Sequence, residues 1–235
     1  MAASTFPMRF KIIVTDITDY GADLHCVAGW DLLGKQMVRP EPAPRQFWPQ
    51  RFVGADQVFW PGSVVEFEGD APKDQTYPHA TEDVVVQLGS LNRTHVIDLP
   101  TLPAAVAGSV APNIEKLFAG QLRRNGWKGY VPLGSKCNSL GGIELKRADL
   151  EFREDQWQDD PPKLRAIGSK AKLNLSVTST VLRAAFSSGG VEEVERLLPN
   201  QGTVHVRIGL ARPFGDYPNE CFLQVNGVYA IRAEP

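Results

Sequence analysis

Cysteine is scarce: the 235 residues hold three, Cys26, Cys137 and Cys221, odd in number and far apart. That excludes a disulfide framework, and with no CxxC pair or Cys/His cluster there is no sequence signature for zinc. Buried free thiols in a reducing cytoplasm are the expected state. No apolar run approaches the roughly 18 residues needed to span a bilayer, so no membrane contact is expected. The opening MAASTFPMRFKIIVTD lacks a basic stretch followed by an apolar run and a small-residue cleavage site, so a signal peptide is not expected either. Catalytic signatures are missing too: there is no GxSxG, Walker glycine loop, GxGxxG after a strand, or HExxH. The histidines, His25, His79, His95 and His205, have no acidic or cysteine partner close in sequence. The residues therefore offer no catalytic group, metal ligand or cofactor site, although a site assembled from distant segments stays open.

What is present is ordinary for a globular chain, with 43% hydrophobic and 22% charged residues, so a real core is expected. The net charge of -2 argues against coating a polyanion by bulk electrostatics. The distribution is less even. Residues 121–147 carry six basic groups against Glu144 alone, while residues 1–120 are acidic, with 14 acidic and 9 basic groups. A basic stripe of this kind suits a polyanion track, and solvated loop charges would produce the same count.

Along the chain, short alternating runs dominate. Phe10, Ile12 and Val14 alternate, and so do Leu24, Cys26, Ala28 and Trp30; residues 16–22 between them read as a polar turn. A turn at Gly34 returns through Val38 and Arg39 to Pro40, which ends that strand or places it at an edge. Residues 41–61, rich in proline and aromatics, read as a long ordered loop. Further strands are marked by Val65 and Phe67, by Val84 and Val86, by Leu173, Leu175 and Val177, and by Val204, Val206, Ile208 and Leu210. Helical spacing predicts a helix over 113–125 with Asn113 as its N-cap, and a helix capped by Ser179 followed by a second, VEEVERLL. Residues 156–162 read as an exposed turn. The expected fold is mostly β with a few short helices, arranged as two tandem OB-like small barrels: residues 1–100, a connector with helix over 101–129, and residues 130–235. Arg39-Pro40 and Arg212-Pro213 put the same step at two strand ends, as two similar barrels would.

Several segments in this order resemble the dual OB-containing domain family of bacterial proteins. They are Cys26-Val27-Ala28-Gly29, Val38-Arg39-Pro40, the strand from Gly62 to Phe67, the segment from Leu175 to Arg183, and Ile208-Gly209-Leu210 with the terminal strand after Cys221. The resemblance covers about two-thirds of the chain. It implies two OB-like barrels, a cytoplasmic bacterial protein of a conflict or antiviral-defence system, and a nucleic-acid role inferred from the barrel type.

OB barrels bind single strands by stacking bases on exposed aromatics beside a basic groove. The stretch Arg123-Arg124-Asn125-Gly126-Trp127-Lys128-Gly129-Tyr130 has that composition, and Lys136 extends it. The alternative is a helix C-terminus followed by core aromatics. Arg39 and Arg212 offer planar forks for phosphate at strand ends, or pair with carboxylates of the long loop. His205 and Arg207 lie on the polar face of an amphipathic strand, lining a binding face or simply facing solvent. The aromatics Trp30, Phe47, Trp48, Phe59 and Trp60 mark a partner surface or anchor the loop. The expectation is a non-catalytic nucleic-acid-binding module, single-stranded or backbone-directed, with a partner protein encoded alongside. The alternative is a protein-interaction or small-ligand-sensing subunit whose partner carries the enzymatic activity.

Overall fold

The computed structural model describes residues 7–21, 23–72, 76–156 and 161–231. Strand β1 (Met8–Asp19) runs past the expected turn at 16–22, because residues 16–19 stay paired with β2 (Leu24–Asp31). A bulge makes this possible: Val14 pairs with Gly29 and Asp16 with Ala28, leaving Thr15 as the extra residue. The inserted residue shifts the alternation by one, so Ile17 follows Phe10, Ile12 and Val14 into the core while Asp16 stays outside the barrel. Strand β3 (Gln36–Glu41) contains Pro40, which pairs with β6 instead of ending the strand. Proline is tolerated there because Arg39 supplies the donor, its N–H bonding Glu82 O at 2.6 Å.

The first sheet is completed by β4 (Trp48–Pro49), β5 (Ser63–Asp70), β6 (Asp83–Val86) and β7 (Asn92–Val96). Its path β1-β2-β3-β6-β5 closes on itself through β5 and β1, with β3–β6 the one parallel step. Five strands in that ring form an OB-like barrel. The loop over 41–61 fills one end. Trp48 and Phe59 are buried with their rings 4.7 Å apart, so these aromatics serve as the loop's anchors.

The connector holds α1 (Leu102–Ala105), β8 (Val110–Ala111) and α2 (Ile114–Leu117). Asn113 caps α2, its Oδ1 accepting the Lys116 N–H at 2.9 Å, but the expected helix over 113–125 stops after one turn. Ala119 and Gly120 adopt left-handed φ of 51° and 74°, which terminates it, and the basic residues beyond fold as a hairpin instead.

That hairpin is β9 (Arg123–Asn125) and β10 (Lys128–Pro132), followed by β11 (Leu140–Lys146), β12 (Leu150–Asp155), β13 (Lys163–Gly168) and β14 (Leu173–Val177). Then come α3 (Thr180–Arg196), β15 (Thr203–Leu210) and β16 (Glu220–Ala230). Ser179 caps α3 as expected, and non-helical backbone at Gly189 and Gly190 splits it into the two expected segments. The expected turn at 156–162 falls largely on residues 157–160, outside the described residues.

In the second sheet the run β12-β13-β14-β16-β15-β11 again has one parallel step, β14–β16, and β8 adds a second parallel pairing along β11. Its flanks β11 and β12 are consecutive in the chain, joined by a single turn over Arg147–Asp149, so the sheet curls round onto one bent strand. Both halves thus share one connectivity, and the fold is the expected pair of OB-like barrels. The two Arg-Pro steps do not mark equivalent positions: Arg39 lies in the third strand of its ring, and Arg212 follows the fourth of the other.

Replacing Phe59 with alanine removes an aromatic ring from a fully enclosed site and should cost roughly 3–5 kcal/mol. Urea unfolding of Phe59→Ala measures it; a loss below about 1 kcal/mol would show that the loop is not what closes the barrel.

Candidate nucleic-acid interface

The two barrels meet along a buried polar seam, and three of the expected binding residues lie inside it. Arg207, on β15, has no exposed surface. Its Nε bonds Asp16 Oδ1 of β1 at 2.9 Å, one Nη bonds Ser109 Oγ of the connector at 2.8 Å, and the other points at Met37 Sδ. One residue therefore ties both barrels and the segment between them. His205 is also fully buried, 3.3 Å from the Arg207 guanidinium. Neither faces solvent, contrary to the reading of their strand's polar side. Alternation separates the inside of a barrel from its outside, and the first barrel covers this part of the outside.

A second tie gathers the Arg-Pro steps. Arg39, buried, holds Asp83 Oδ1 at 2.5 Å and Ser139 Oγ at 2.9 Å. Arg212, half-buried at the mouth of the seam, holds Asp83 Oδ2 at 2.6 Å and Glu41 Oε1 at 2.8 Å. Burial alone would raise the Asp83 carboxyl, but Arg39 and Arg212 outweigh it and hold it below the usual carboxylate range. The two arginines do converge, on a carboxylate. An apolar layer backs these contacts: Ala28, Trp30 and Met37 of the first barrel pack against Leu102 and Val106 of the connector and Leu140 of the second.

The remaining expected residues are on the surface. Arg123 bonds the Leu122 carbonyl, Arg124 bonds Ala171 O and Glu115, and Lys136 is exposed in the loop after β10. Trp127 is half exposed, and its carbonyl accepts the Asn174 N–H at 2.8 Å, which sets the hairpin against β14. Lys128, exposed, lines a groove across β10, β14 and β16.

That groove holds residues the sequence did not single out. Phe214 and Tyr217, from the loop after β15, are 57% and 41% exposed. They cluster with Phe222 of β16, at ring centroid distances of 6.3 and 5.1 Å, and Phe222 in turn contacts Tyr130 at 6.0 Å. Arg165 of β13 lies flat on β14, bonding Asn174 Oδ1 at 2.8 Å and Ser176 Oγ at 2.5 Å. The signal for Phe214 and Tyr217 was a polar turn carrying two aromatics, FGDYPNE, too short to bury them. Arg165 gave no signal, since its strand was not recognised.

Among the described residues no cluster of histidine, cysteine and carboxylate side chains could hold a metal ion, and no helix is long and apolar enough to cross a membrane. Comparison of the chain with family models, with curated proteins and with solved structures returned no match.

The seam makes two predictions. Asp16→Asn leaves the Arg207 charge without its counter-ion and should cost roughly 3–5 kcal/mol, most of it recovered in Asp16→Asn combined with Arg207→Met. Equal losses in the single and double variants would show that the pair is not the tie. The second concerns pH. Burial pushes His79 and His205 down to about 3, with Arg39 reinforcing the first and Arg207 the second. Each stays neutral in the fold while the unfolded chain binds a proton below about pH 6.5, so stability is full above that pH and falls below it. The slope approaches about 1.4 kcal/mol per pH unit for each histidine. Burial raises Glu41 and Glu82, which opposes the trend at lower pH. Urea midpoints between pH 6.5 and 5 test this, and a flat profile would refute it.

Proposed function

We propose that this chain is a non-catalytic module that binds single-stranded nucleic acid along the groove of the second barrel. One observation carries the reading. Phe214, Tyr217, Phe222 and Tyr130 cluster beside Lys128 and Arg165 on the outer face of β13, β14 and β16. By chain order β13 and β14 are the second and third strands of that barrel, the face OB-folds use for oligonucleotides and oligosaccharides, bounded by the loop between strands four and five. Phe214 and Tyr217 lie in that loop. Exposed rings there offer stacking at about 1–3 kcal/mol per base, and the two cations flank a backbone path. The family resemblance points the same way.

A second reading, as a protein-interaction or small-ligand-sensing subunit, is favoured by how the cations are used. Arg39, Arg124, Arg207 and Arg212 are held by carboxylates of the chain itself, so little positive charge is left for a strand.

Fluorescence anisotropy with short labelled strands across a salt series decides between them. Tyr217→Ala and Phe214→Ala should each weaken binding by about 5- to 150-fold with the salt slope unchanged. Lys128→Gln should lower the slope by about 0.7. No binding to any strand, or binding untouched by these variants, would favour the partner-subunit reading.

A further inference from the structure

The groove across β10, β14 and β16 encloses about 160 Å³, and its lining holds two cations and no carboxylate. In a chain with 27 acidic residues that separates it from its neighbours. Glu41 and Asp83 line the cleft beside Arg212, Asp16 and Asp19 the space at the mouth of the seam, and Glu154 the cleft beside α3.

What the groove carries is donors. Arg165 has a side chain only 16% exposed. Of the five N–H donors of a guanidinium, three bond Asn174 Oδ1, the Asn174 carbonyl and Ser176 Oγ, which leaves two unused. All three acceptors are neutral. Its one ion pair among the described residues is long, 3.9 Å to Asp155, which is 59% exposed and lies outside the groove lining. The seam arginines, by contrast, meet their carboxylates at 2.5 to 2.9 Å. Burial pulls the Arg165 guanidinium below its usual range, and Asp155 alone opposes this. A charge partly withdrawn from water and met by neutral groups gains from an anion. Lys128, exposed on β10, makes no ion pair or hydrogen bond among the described residues, nor does the side chain of Gln224.

Size limits what can enter. The space is well below the roughly 300 Å³ at which sites for drug-sized ligands begin, so it takes one compact group. A phosphate is compact and, when ionised, offers acceptors throughout. A terminal phosphate carries about −1.5 to −2 near neutral pH, whereas a diester within a strand carries a single charge. Two cations with no carboxylate beside them match the terminal form.

We infer that this groove is a site for a terminal phosphate group, held between Arg165 and Lys128, with the nucleoside it carries lying on Phe214 and Tyr217. The phosphate can come from a strand end or from a free nucleotide; the strand source rests on the function proposed above, the free nucleotide does not.

Isothermal titration calorimetry on the wild-type chain compares uridine 5′-monophosphate with uridine. The monophosphate should bind about 10- to 150-fold more tightly, the range that charge-assisted hydrogen bonds supply. Its methyl ester, a diester with one charge, should fall between the two, and inorganic phosphate should displace it. Arg165→Gln should reduce the monophosphate to the affinity of uridine, while Arg165→Lys keeps part of the gain. Because the wild-type comparison needs no variant, a misfolded Arg165→Gln leaves the test intact. Fluorescence anisotropy then compares one strand carrying a phosphate or a hydroxyl at either end. Tighter binding of the phosphorylated strand makes the strand end the source; no gain there, with the monophosphate still preferred, makes it the free nucleotide. No binding of the monophosphate, or equal affinity for it and uridine or for it and its methyl ester, overturns the inference. Strands that still bind through Tyr217 would in that case leave the groove reading standing. Preference for the monophosphate with no strand bound would sink the groove reading and support the phosphate site.

Discussion

Arg207 and Asp16 come from opposite ends of the chain and meet where neither side chain has meaningful contact with water. Taking two such charges out of water costs more than a surface pair ever returns, and an apolar pair of the same shape would often be more stable. What the ion pair does supply is selectivity. A guanidinium at this depth is tolerable only where Asp16, Ser109 and Met37 all reach it, so the barrels dock in one orientation and no other. The Thr15 bulge is part of the same constraint. Were Thr15 paired in register instead of bulged out, Asp16 would point into the first barrel, and Arg207 would have no counter-ion.

That orientation decides which surfaces remain. The outer face of β2 and β3 in the first barrel, the side carrying Ala28, Trp30, Met37 and Arg39, is covered by the connector and the second barrel. An OB barrel would normally offer that face to a ligand. Here it is spent on docking. The corresponding face of the second barrel, built on β13 and β14, stays open because that barrel docks through β15 and β11 instead. Two barrels of one topology therefore have different roles, and the difference lies in the side chains of their outer faces.

Much of the fold was legible because barrel strands alternate, and Leu173, Leu175, Val177 and Val204, Val206, Ile208 do so without interruption. The capping residues Asn113 and Ser179 were equally readable, since a cap is a local hydrogen bond. What failed was what depends on distant segments. A left-handed backbone at Ala119 cut short a helix whose spacing looked sound, and a bulge carried β1 through a segment of turn-like composition. Arg39, Arg207 and His205 looked like free polar groups because their partners lie far away in sequence. The candidate groove was legible only at Lys128 and Tyr130. Phe214, Tyr217 and Arg165 become neighbours of these residues only once the sheet has curled.

The way the cations are used bears on how any ligand is held. With a net charge of -2 and most seam arginines neutralised internally, there is little long-range field to steer a polyanion from solution. Contacts made after arrival must then supply the affinity, and the groove offers mainly stacking, with Lys128 and Arg165 as local charges. A surface of this kind accepts many bases almost alike, because every base has a flat face. The unpaired polar atoms of the seam, Asp16 Oδ2 and His205 Nδ1, are sealed between the barrels, so the groove itself offers a ligand flat faces and local charge and little that tells one base from another.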